Sequence, residues 1–121
     1  MGLKLFIFFI VGFFTFFVLG WSGVMQIRLN ESKKLKNNEK VQIKGTDIVI
    51  FVEGVGTLRT PDNREISLVT LIISEKQQKT QIIIEKNFSA PGFKLYKNYK
   101  IIVEDASGLQ SYCVIKIQKQ G

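Results

Sequence analysis

LFIFFIVGFFTFFVLGWSGVM, running from Leu5 to Met25, carries no charged residue across 21 positions and has only Thr15 and Ser22 as polar side chains. Coiled as a helix rising about 1.5 Å per residue, it would be roughly 31 Å long, enough to cross a hydrocarbon core of about 30 Å. No helical face of it is polar, so a surface helix of a globular domain is a poor description. A cleaved signal peptide is the competing reading, with Lys4 as its charged end and Gly20, Ser22 and Gly23 as small residues near a cleavage point. The apolar core exceeds the roughly 7 to 15 residues of such peptides, and Trp21 suits an interfacial anchor. The expectation is a single N-terminal transmembrane helix within residues 1–27.

Orientation draws on two opposed signals. Arg28, Lys33, Lys34, Lys36 and Lys40 follow the run while only Lys4 and the amino terminus precede it, and counting basic residues puts the richer flank in the cytoplasm. An apolar segment near the start of a chain, however, is the usual device for exporting the domain attached to it. The exported arrangement is preferred, as a single-pass protein of the inner (cytoplasmic) membrane with an extracytoplasmic C-terminal domain. Residues 28–40, polar and basic with Leu35 as the one large apolar residue after Leu29, read as a solvated tether beside lipid headgroups.

From residue 41 onward the pattern is that of strands. VQIK alternates; DIVIFVE, EISLVTLIIS, TQIIIEK, YKIIVED and SYCVIKIQK are rich in β-branched residues. Gly54 and Gly56, TPDNR, EKQQK, SAPG and DASG separate them as turns. The fold class expected for residues 41–121 is all-β, a small sandwich or barrel-like β-domain with hairpins over 65–86 and 99–119. In the 65–74 run, Val69, Leu71 and Ile73 alternate with Ile66, Leu68 and Ile72, so both faces of that strand are apolar. Such a sheet must close on itself or find cover from a partner.

Chemistry-bearing residues are sparse. There is no histidine, and Cys113 is the single cysteine, so no internal disulfide forms and the thiol is expected to be an inert core group. Asp62, Glu65, Glu104 and Asp105 are scattered carboxylates with no spacing that isolates a general acid or base. EGVG at 53–56 lacks the following helix of a phosphate loop. The triplets at Asn30 and Asn87 match the glycosylation acceptor pattern, which short sequences contain readily by chance. The reading is not an enzyme, with no cofactor and no metal. The net charge of +7 comes from 17 basic against 10 acidic residues spread along the strands, and without a clustered basic face it predicts no nucleic acid partner.

KNFSAPGFKLYKNY, residues 86–99, is unusually rich in rings for a loop. Phe88, Phe93 and Leu95 are expected to fill the end of the core, while Tyr96 and Tyr99, flanked by Lys97 and Lys100, present their polar tips to a partner. The strand alternation sends Phe93 and Leu95 to one side and Tyr96 to the other.

The order PDNREISLVTLII, a hairpin into QIIIEKNFSAPGFKLYKNY, then a further strand, resembles the extracytoplasmic β-domain of ResB-like proteins, the membrane partners in a haem-delivery system that matures c-type cytochromes. The resemblance covers roughly residues 61–99. It matches that family's glycine at Gly92, the following aromatic at Phe93 and the tyrosine at Tyr96, with Phe88 in place of a leucine. Glu85 stands where asparagine is usual, Asn87 replaces a proline and Lys97 a glutamine. The resemblance implies an accessory domain that docks to a haem-handling cytochrome c assembly protein. With no histidine, the chain supplies no imidazole to haem iron. The function expected is therefore a membrane-anchored, non-enzymatic β-domain that contacts the lipid bilayer and binds a membrane or extracytoplasmic protein partner through Tyr96, Lys97 and Tyr99. The alternative is a self-associating structural protein of the envelope.

Overall fold

The computed structural model describes residues 25–120, and the apolar run up to residue 24 lies outside them. Nine strands follow one another: β1 (Met25–Ile27), β2 (Ser32–Lys36), β3 (Lys40–Ile43), β4 (Ile48–Arg59), β5 (Glu65–Glu75), β6 (Gln78–Asn87), β7 (Gly92–Tyr96), β8 (Tyr99–Ser107) and β9 (Tyr112–Lys119). They form two sheets, one of five strands in the order β1-β3-β4-β5-β6 and one of four in the order β2-β9-β8-β7. The fold is an all-β sandwich. Single bridges draw its layers together at both sides, Leu29 to Ile117 beside β1 and Asn87 to Ala90 where β6 passes into β7. Among the described residues no helix is long and apolar enough to cross a membrane.

Every hydrogen-bonded strand pair is antiparallel except β1 with β3. Odd-numbered strands thus run one way and even-numbered strands the other. All turns from an even to an odd strand lie at one end of the sandwich, the same end from which the chain enters β1. The Asn37 amide donates to Ser111 O at 3.1 Å there, tying the β2–β3 turn to the β8–β9 turn.

The core is aliphatic. Ile27, Leu35, Ile43, Ile50, Val52, Leu71, Ile73, Ile84, Ile101, Val103, Ile115 and Ile117 are all buried, and no polar or charged residue is buried with them. Each such side chain contributes roughly 1.5–3 kcal/mol relative to exposure. Cys113 is fully buried among them, and burial pushes its thiol up to about 11.

Several sequence expectations are corrected. Residues 28–40 are not a tether: β2 pairs with β9 across five residues, setting Leu35 opposite Cys113, and Leu35 is fully buried. Likewise Met25–Ile27, placed with the anchor, forms β1 and buries Ile27. The lysines of SKKLK concealed this strand, because Lys34 and Lys36 occupy its outward positions and a single inward leucine supplies the core contact. Gly54 and Gly56 do not end a strand either. β4 runs through both, absorbing an extra residue as a bulge between Val52 and Gly54. The 86–99 stretch is no loop: β7 occupies Gly92–Tyr96 within it. The hairpins β5–β6 and β8–β9 form where the sequence places them. Val69, Leu71 and Ile73 face inward, while Ile66, Leu68 and Ile72 are half-buried on the outward side.

Candidate partner-binding face

β7 is the edge of the four-stranded sheet and is joined to β8 by the two-residue turn Lys97–Asn98. Lys97 takes a φ of 52° there, a left-handed conformation that suits the first central residue of a tight hairpin. The turn sets Tyr96 opposite Tyr99, Leu95 opposite Lys100 and Phe93 opposite Ile102. Residues facing each other across an antiparallel pair share a side of the sheet. Since Ile101 and Val103 are buried, their partners Lys94 and Gly92 belong to the inner side, and Phe93, Leu95, Lys100 and Ile102 to the outer.

That register reverses the expected orientation of the rings. Phe93 is 55% exposed and Leu95 60%, so neither fills the core, and Phe88, at 90%, stands clear of it. Tyr96 and Tyr99 are half-buried and pack against the core instead. The Tyr96 hydroxyl donates to Glu75 Oε1 at 3.1 Å, and the Lys97 ammonium binds the same oxygen. Tyr96 and Lys97 therefore fasten the β7–β8 turn to the end of β5. Lys97, then Tyr96, holds the Glu75 carboxyl below its ordinary range against an opposing desolvation. Burial, then Glu75, raises the Tyr96 phenol. Alternation was legible in FKLY, but ring size did not reveal which side faced the core. Pairing FKLY with YKIIV across a two-residue turn would have revealed it.

The outward side of the four-stranded sheet mixes cations with apolar groups. Lys100 Nζ lies 4.2 Å from the centre of the Phe93 ring, and Lys34 Nζ 4.2 Å from that of Tyr112. Lys36 and Lys116 share this side, together with half-buried Ile102 and Val114. Its carboxylates are engaged locally: Glu104 accepts from the Ser32 hydroxyl, and Asp105 Oδ2 from the Tyr112 hydroxyl at 3.1 Å. The hydrogen bond to Asp105 raises the Tyr112 phenol. The groups left presented are positive charges stacked on rings, an arrangement suited to binding a surface that supplies carboxylates and apolar contact.

Among the described residues no group of three or more His, Cys, Asp or Glu side chains is placed to hold a metal ion. No family model matches the chain, and neither a curated protein nor a solved structure matches it.

Proposed function

We propose that the chain is a membrane-anchored binding domain, held outside the cytoplasm, that presents the outward side of its four-stranded sheet to an acidic protein partner at the membrane. The observation that carries this reading is the exposed pair Phe93 and Leu95 on an edge strand, with Lys100 and Lys34 poised over neighbouring rings. Exposed aromatic and aliphatic anchors ringed by cations are the usual makings of an interface centre and rim. Arg28, Lys33, Lys34, Lys36 and Lys40, whose number favoured a cytoplasmic domain, belong to folded strands and their adjoining turns. Folded domains are translocated largely regardless of charge, which supports the exported orientation.

On the ResB-like resemblance the partner is a haem-handling protein of cytochrome c assembly, and the content of covalently haem-bound cytochrome in a deletion strain tests that identity. A second reading, self-association, draws on the other sheet. Phe51, Leu68, Ile72 and Ile83 lie on its outward side, with Ile83 45% exposed. Photo-crosslinking from positions 93 and 83 in native membranes separates the two. Adducts with a different chain at 93 support partner binding, and adducts of doubled mass at 83 support self-association.

A further inference from the structure

The turns at the two ends of the sandwich differ in kind. At the far end stand Lys44–Asp47, Lys76–Gln77 and Lys97–Asn98, all polar, with Leu29, at 40% exposure, as the one large hydrophobic of the 28–31 turn. At the near end, where the chain enters β1, Phe88 in the β6–β7 turn is 90% exposed and Leu109 in the β8–β9 turn 95%. Leu58, close to the β4–β5 tip, is 52% exposed. Phe88 and Leu109 line a common cleft of about 270 Å³ with Thr57 and Lys86, so they form one patch rather than two scattered residues. Gly108 sits against Thr57, whose Oγ1 would lie 2.4 Å from an added Cβ, which fixes the β8–β9 turn beside β4.

We infer that this near end rests in the membrane surface, with Phe88 and Leu109 as its inserted side chains; the inference depends on the anchor proposed above. The chain allows little room for any other placement of an upright domain. Three residues separate Trp21 from Met25, a reach of at most about 14 Å. Met25, Val41 and Ile50 lie level across the sheet, and Leu58 is eight residues further along β4. At about 3.3 Å per residue the hairpin projects roughly 26 Å beyond Met25 toward the membrane side. Its tip therefore meets the headgroups, where exposed rings and aliphatic side chains partition favourably and Arg59, Lys36 and Lys40 meet lipid phosphate.

The test uses the full chain reconstituted in vesicles of phosphatidylcholine and phosphatidylglycerol carrying nitroxide-labelled acyl chains. Trp21, the sole tryptophan, reports the anchor. Environment-sensitive labels on Phe88→Cys, Leu109→Cys and Gln77→Cys report the two ends, and the buried Cys113 leaves the unsubstituted chain as the blank. The expected result is quenching of Trp21 and of the labels at 88 and 109, with the label at 77 unaffected. Quenching of Trp21 with none at 88 and 109, or equal quenching at all three labels, overturns the inference and leaves the anchor standing. Unquenched Trp21 overturns the anchor and the inference together.

Discussion

Leu35→Ala is the substitution that weighs the most on how this chain is organised. If residues 28–40 were a solvated tether, removing three carbons from Leu35 would change stability by no more than a few tenths of a kcal/mol. In the structure Leu35 is fully buried, paired with Cys113 on β9 and enclosed by aliphatic side chains. Leucine-to-alanine changes at such sites cost about 2–5 kcal/mol, through lost transfer energy and the cavity left behind. Cys113 reports the outcome directly, because its thiol reacts only when the β2–β9 pair opens. Pulsed labelling of Cys113 along a urea series gives the unfolding midpoint of the full chain in detergent. With a slope of roughly 2 kcal/mol per molar urea, a loss of about 3 kcal/mol lowers that midpoint by about 1.5 M. Lys34→Ala on the outward side, which loses the contact with the Tyr112 ring, shifts it by an amount corresponding to about 0.5–1 kcal/mol. A Leu35→Ala midpoint indistinguishable from that of the unsubstituted chain would refute the placement of β2 in the sandwich.

Further outcomes rest on the same geometry. Gly92→Ala puts a Cβ 1.9 Å from the Glu85 carbonyl oxygen; because backbone must move to admit it, the variant should melt with a loss of about 1–3 kcal/mol. The Cys113 thiol, raised from 9.0 to about 11 by burial, should label negligibly in the native chain at neutral pH. As its folded-state value is the higher one, the stability it contributes is present below pH 9.0 and lost between 9.0 and about 11, a decline that Cys113→Ala removes from the pH profile of the melting temperature. Glu75, lowered chiefly by Lys97, works in the opposite sense: its contribution is present above the ordinary carboxylate range and lost as pH falls, so Glu75→Gln flattens the acid limb of that profile.

The parts of this fold legible in the sequence are those where the core depends on several apolar residues in one strand. β4, β5, β6, β8 and β9 each carry such runs, and EKQQK and DASG mark the reversals of two hairpins. The parts that escaped are held by one or two contacts each. β1 has three residues, β2 one inward leucine among lysines, and β7 an inner side of Gly92, Lys94 and Tyr96 that is less apolar than its outer side. On β7 the larger side chains lie outward because the register with β8 is fixed by the buried Ile101 and Val103, a constraint between strands that composition within the strand does not record. The candidate face was thus located in the right stretch of chain, but the exposed residues proved to be Phe93 and Leu95 in place of Tyr96 and Tyr99.

The claim that this outward face binds a partner is tested most directly by placing a photo-crosslinking residue at position 93 of the full chain in native membranes, with and without Lys34→Glu and Lys100→Glu. The account predicts an adduct with a protein of different sequence, lost when the two charges are reversed although the Cys113 labelling midpoint stays near that of the parent chain. An adduct that survives charge reversal, or crosslinking from position 93 to lipid alone, would contradict it.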